Sequence, residues 1–127
     1  MDDQLKYVIQ GRLSGANEAI NSARSNKYAG AQMKASETKR TALAAILGQV
    51  PVLKRPITIH FHWIEPNTRR DLDNIRFGAK YILDGLQEAN RLPDDGWDWV
   101  RGMSDTFSVD KNNPRVEVTI MEVPLGD

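Results

Sequence analysis

Pro56-Ile57-Thr58-Ile59-His60-Phe61-His62-Trp63-Ile64 alternates apolar and polar residues with a period of two. That is the pattern of a strand with one face in a core and the other toward water. Ile57, Ile59, Phe61 and Trp63 share the inward face, and Thr58, His60 and His62 the outward one. Downstream, a Pro-Asn-Thr loop leads through Arg69-Arg70-Asp71-Leu72-Asp73-Asn74 into a helical pattern over about residues 74–90. There Ile75, Ala79, Ile82, Leu83 and Leu86 recur on one face. Pro93, Gly96 and Gly102 break the chain. Two more strands are expected near 100–109 and 115–123, the second alternating Val116, Val118 and Ile120 with Arg115, Glu117 and Thr119. Upstream, residues 5–12 read as a first strand, with Gly11 and Gly15 marking the turn after it. Asn17 is placed to cap a short helix to about Arg24, and the polar stretch 25–30 interrupts before a longer helix over 31–47. Gly48 stops that helix, and Pro51 lies beyond it. The order β-α-α-β-α-β-β, with adjacent terminal strands, predicts an α+β fold: a small mixed β-sheet packed with three main helices, residues 1–127 forming a single domain.

The chain has 127 residues, 17 Lys+Arg, 17 Asp+Glu, 2 His and no Cys. A chain of this size buries a core without metal staples or disulfides. The missing cysteine excludes a disulfide framework, a zinc-thiolate site and a thiol nucleophile. No apolar run approaches the roughly 18–20 residues of a membrane span, and MDDQLKYVIQ has no signal-peptide layout, so the expected compartment is the cytoplasm. The zero net charge hides a segregation. Residues 1–70 hold 11 Lys+Arg and 5 Asp+Glu; residues 71–127 hold 6 and 12.

The acidic half carries the chemistry. In an extended segment Asp71 and Asp73, two apart, project to one face. An Asp at a helix start also serves as an N-cap, which accounts for Asp73 but not for Asp71. Asp94-Asp95 follow the helix, which is roughly 25 Å long at 1.5 Å per residue. They join the first pair only if the segment 97–109 returns along the helix. Gathered carboxylates repel one another unless a cation sits among them. Oxygen ligands without cysteine suit Mg²⁺ or Mn²⁺, and such ions promote phosphodiester hydrolysis. At about 100° per residue, Lys80 and Asp84 fall in a narrow arc with Asp73, where Lys80 would hold a phosphate or pair with Asp84. Phe77 shares that arc, placed for a subunit contact, base stacking or packing within the chain.

Arg69-Arg70, Asp71-Leu72-Asp73-Asn74, Leu83-Asp84-Gly85-Leu86 and Asp94-Asp95 together resemble the RusA family of Holliday-junction resolvases, small phage and prophage endonucleases. The specific match covers about residues 69–97, and the looser order of elements extends it over most of the chain. The resemblance implies a homodimer that binds four-way DNA junctions and nicks two opposing strands with Mg²⁺ (or Mn²⁺), in recombination and repair. It implies Asp71, Asp73 and one of Asp94-Asp95, with Asp95 favoured, as catalytic and metal-binding carboxylates. One position departs: the family lysine one turn beyond the second motif aspartate is Phe77 here, and the nearest lysine on that face is Lys80.

Arg69 and Arg70 suit phosphate clamps, because guanidinium forks match phosphate oxygens. Arg24, Lys27, Lys34, Lys39, Arg40 and Arg76 are further candidates to line a DNA path, and Tyr28 to stack on a base. His60 and His62 read as sheet-surface residues, and Trp97 and Trp99 as anchors of their loop against the core. A second functional class stands beside the nuclease: a non-catalytic DNA-binding accessory protein of recombination, whose acids only cap and solvate.

Overall fold

The computed structural model describes residues 4–124; the first three residues of the N-terminal stretch read above lie outside them. The elements are β1 (Gln4–Gln10), α1 (Ala16–Ser25), α2 (Lys27–Leu47), β2 (Ile57–Glu65), α3 (Leu72–Arg76), α4 (Ala79–Glu88), β3 (Val100–Val109) and β4 (Arg115–Glu122). The fold is α+β. One four-stranded mixed sheet has the order β1-β4-β2-β3. β4 runs antiparallel to both β1 and β2, while β3 runs parallel to β2. The first and last strands are therefore neighbours, and β3 and β4, though consecutive, do not pair.

The alternation of β2 decides which face is covered. Ile57, Ile59, Phe61 and Trp63 are buried with Tyr7, Ile9, Val116, Val118 and Ile120, and the helices add Ala45, Ala79, Ile82 and Leu86 to the same core. The other sheet face stays open. On it His60 lies 2.7 Å from Ser104 Oγ and 2.9 Å from Thr106 Oγ1. His62 lies 2.8 Å from Ser108 Oγ and 3.3 Å from Glu117 Oε1. Both histidines thus sit on the sheet surface, tying β2 to its neighbours. Arg115 first, and His62 after it, hold the Glu117 carboxyl below its ordinary value.

Three boundaries differ from the sequence reading. Gly15, not Asn17, occupies the cap position of α1. The interruption between α1 and α2 shrinks from six residues to Asn26 alone, whose side chain accepts from the Ala29 N–H at 2.6 Å and so restarts the helix at once. The single helix over 74–90 becomes α3 and α4. Between them, Gly78 N–H bonds Ile75 O, Lys80 N–H bonds Phe77 O and Tyr81 N–H bonds Gly78 O, all at three-residue spacing. Gly78 is there because the chain presses on the core: a Cβ would lie 3.1 Å from Leu13 and 3.2 Å from the Trp63 ring.

Among the described residues two buried side-chain polar atoms lack a partner, the Tyr7 hydroxyl and Arg91 Nε. Burial pushes the pKa of Tyr7 up. Leaving such a group unpaired costs about 1–3 kcal/mol. Tyr7→Phe is therefore expected to stabilise the fold by about 1 kcal/mol. A lower midpoint in urea unfolding would refute this.

Candidate functional site

The head of the sheet, where β2 ends, is built around a buried carboxylate. Glu65 continues the inward parity of Ile57, Ile59, Phe61 and Trp63 and is only 5% exposed. Two guanidinium groups neutralise it. Arg70 reaches it twice, Nε to Oε1 at 3.1 Å and Nη2 to Oε2 at 2.8 Å. Arg12 Nη2 lies 3.1 Å from Oε1. Arg70 also donates to the Leu13 carbonyl at 3.0 Å. The loop before α3 is thereby pinned to the turn after β1, so the residue next to Arg70, Asp71, is held at the head of the sheet.

Asp71 occupies the cap position of α3, with extended backbone and no side-chain cap bond, and Asp73 lies in the first turn. Both side chains are exposed, and neither pairs with a cation among the described residues. Asp73 Oδ1 accepts only the neighbouring Asn74 N–H, at 2.9 Å. Asn74 is structural. Its Oδ1 accepts the Asn17 N–H at 3.0 Å, and a Cβ at Gly15 would come 2.5 Å from that same oxygen. The glycine lets α1 begin against α3.

The third carboxylate is not here. β3 runs parallel to β2, with Val100 near Ile57 and Val109 beside Glu65. Asp94 and Asp95 precede β3 and so lie at its foot, whereas Asp71 and Asp73 follow β2 at its head. The eight residue steps of strand between the two ends amount to roughly 25 Å. The segment 97–109 does return along the helices, but it starts from Asp95 instead of bringing Asp95 back. No group of three or more His, Cys, Asp or Glu gathers among the described residues.

The basic candidates divide. Arg70 is spent on Glu65, and Arg76 on Asp105 at 3.0 Å. Asp105 also accepts from Trp63 Nε1 at 2.7 Å. Arg40 donates to the carbonyls of Gln10 and Arg12 and to Glu37. Arg24, Lys27, Lys34, Lys39, Arg69 and Lys80 are exposed and free of carboxylate partners among the described residues. No Lys80–Asp84 pair forms. The shared arc of Lys80 with Asp73 assumed an unbroken helix, and each residue turned at three-residue spacing adds about 20° to the phase. Phe77 packs within the chain, edge-on to Tyr81 at 5.8 Å. Tyr28 lies in α2, exposed, with its hydroxyl accepting from Gln32 at 3.1 Å.

Sequence reasoning missed Glu65 and Asp105. Both were marked by parity, since each carboxylate sits at a core position of its strand. It also misplaced Trp97. Trp99 packs against the core, but Trp97 is 92% exposed. No helix among the described residues is long and apolar enough to cross a membrane. Comparison with protein-family models gives no match, and no curated protein is significantly similar to the chain.

Proposed function

We propose that the chain is a divalent-metal-dependent, structure-selective endodeoxyribonuclease of the RusA type, acting as a homodimer on four-way DNA junctions. The observation that carries this reading is the pair Asp71 and Asp73: two exposed carboxylates at the head of the sheet, next to Arg69, with no ion pair at any of the three among the described residues. The donor chemistry fits Mg²⁺ or Mn²⁺, which bind through one or two carboxylates and leave positions for water and phosphate oxygens. A bound ion would supply Lewis acidity for attack of water on the phosphodiester. Asp71 and Asp73 would hold it; Asp94 and Asp95, at the foot of the sheet, are out of reach of the same ion within one chain. Arg69 and Lys80 would hold the phosphates near the cut, with Arg24, Lys27 and Lys34 along the arms. Arg70 and Arg76 act through the fold, as anchors of the segments that carry the site.

The test is a labelled four-way junction with Mg²⁺ and purified protein. Wild type is expected to nick opposing strands. Asp73→Asn is expected to lower cleavage about a hundredfold, the loss of roughly 3 kcal/mol of transition-state stabilisation. Binding without cutting in either Mg²⁺ or Mn²⁺ would establish the accessory-protein reading instead. Cutting that survives both Asp71→Asn and Asp73→Asn would move the site elsewhere. Added Mn²⁺ is also expected to raise the thermal midpoint of wild type and not of the Asp71→Asn/Asp73→Asn double variant, because a ligand bound only by the folded state stabilises it.

A further inference from the structure

β1 is an edge of the sheet, with β4 as its only neighbour. Gly11 N–H donates to Pro114 O, so the odd-numbered residues of this segment turn their backbone groups toward β4. The even-numbered ones turn theirs outward, as the Gln10 carbonyl shows by accepting from Arg40. Among the described residues, no hydrogen bond reaches the outward N–H and C=O groups of Lys6 and Val8. Such a row of unpaired donors and acceptors is a template for another strand.

The end of α2 walls this edge. Gly48 lets the helix close on the strand, since a Cβ there would come 2.6 Å from the Tyr7 Cβ. Between them runs a groove of about 460 Å³, with Val8, Leu43, Ala44 and Leu47 as its apolar lining. Leu43 and Leu47, one turn apart, are 55% and 72% exposed, and residues 41–53 carry no charge. Two leucines stacked beside an open strand edge make a contiguous strip, which marks an interaction surface where scattered apolar residues would not.

Charge decides what fits the strip. Residues 4–12 hold Lys6 and Arg12 and no acid. α2 sets Lys27, Lys34, Lys39 and Arg40 against Glu37 alone. Glu37 is already taken, by Arg40 at 3.2 Å and by the Ser14 N–H at 2.6 Å. Lys6 and Lys39 are exposed and have no carboxylate partner among the described residues. A nucleic acid would meet these lysines but leave the leucines and the strand edge unused. A polypeptide uses all three.

We infer that this edge takes an extended segment of a partner protein, alternately apolar and acidic, as a further strand against β1. Its apolar side chains lie on Leu43, Ala44 and Leu47. Its acidic ones, on the open face of the sheet, meet Lys6, and Lys39 extends the basic rim one turn before Leu43. This surface is independent of the nuclease reading.

A random-peptide library displayed on phage and panned on the full chain tests the inference. The enriched peptides are expected to alternate apolar residues with Asp or Glu. Such a peptide, labelled with fluorescein, is expected to bind with micromolar affinity by anisotropy and to slow amide exchange at Lys6 and Val8. Leu47→Glu, at an exposed position, is expected to weaken binding about tenfold or more with unchanged circular dichroism, the effect of one leucine left unburied. Lys6→Glu is expected to weaken it more at low salt than at high. N-methylation of the peptide backbone, which removes donors and keeps the side chains, is expected to abolish it. No enrichment of such peptides, or a peptide that protects other amides or ignores Leu47→Glu, overturns the inference. A wild type that self-associates through this groove, and that Leu47→Glu makes monomeric, overturns it in favour of a second copy. Protection of Lys6 and Val8 by duplex DNA and by no peptide overturns it in favour of nucleic acid.

Discussion

Glu65→Ala is expected to destabilise the protein by about 3–5 kcal/mol, the range for breaking a buried ion pair by removing one partner. The loss comes less from the missing attraction than from what remains. The Arg70 side chain is 12% exposed, and without Glu65 its guanidinium keeps the Leu13 carbonyl at 3.0 Å and a distant Glu18 at 3.5 Å. The partners divide the effect unequally. Arg12 is 38% exposed, and water solvates its head when the pair is cut. Arg12→Ala is therefore expected to cost under about 1 kcal/mol, as for surface pairs. Urea unfolding followed through the buried Trp63 measures both. Equal losses for Glu65→Ala and Arg12→Ala would show that burial is not the cause. Glu65→Gln keeps an acceptor and the shape, so a smaller loss is expected; on the proposed nuclease reading junction cleavage falls with it, because the loop that holds Asp71 is slackened. A double replacement of Glu65 and Arg70 by apolar residues of similar volume is expected to recover stability, since a matched apolar pair has no desolvation penalty. Cleavage is not expected to return with it.

The strands were legible because burial imposes period two on them. Ile57 through Trp63 and Val116 through Ile120 are buried as their alternation predicts. Glu65 obeys the same parity, yet polarity alone hides it: a carboxylate at a core position declares itself only once Arg70, five residues on, is seen to fold back over it. Helical period likewise found Ile75, Ile82 and Leu86, because a short tightened turn barely moves an apolar face about 100° wide. It could not fix the direction of Lys80, where a few tens of degrees decide what a single side chain meets. The place of Asp95 was illegible for a different reason. Whether β3 runs parallel or antiparallel to β2 leaves no mark on the alternation of either strand. That choice of direction alone separates Asp95 from Asp71. In the same way, Trp97 and Trp99 are alike in composition and two apart. One lands in the core and the other in water because the Gly96 turn sends them to opposite sides.

The contact of α2 with α4 gives the second large effect, and Gly85 is where it lies. A Cβ there would come 2.0 Å from Thr41 Oγ1 and 2.8 Å from the Ala42 backbone nitrogen. The Thr41 hydroxyl is buried between the Tyr81 carbonyl at 2.8 Å and its own helix's Thr38 carbonyl at 2.9 Å, so it cannot swing aside without leaving the helix crossing. Alanine in place of a helical glycine gains about 1 kcal/mol in propensity. Overpacking costs about 1–3 kcal/mol, and forcing the hydroxyl off its partners adds about 1–3 more. The losses outweigh the gain, so Gly85→Ala is expected to destabilise by about 3 kcal/mol, with Gly85→Val worse because its methyl groups meet the same backbone. Thr41→Ala in the Gly85→Ala background removes the hydroxyl clash but not the approach to Ala42, and partial rescue is expected. Stabilisation by Gly85→Ala would mean that the helices slide apart freely. α2 carries Lys27 and Lys34, and α4 begins at the turn that closes the Asp73 helix. If those lysines do bind the arms of a junction, a separation of the two helices would shift the arms against the carboxylates. Variants at Gly85 that still fold are therefore expected to lose cleavage more than binding, measurable as a lower single-turnover rate at saturating protein.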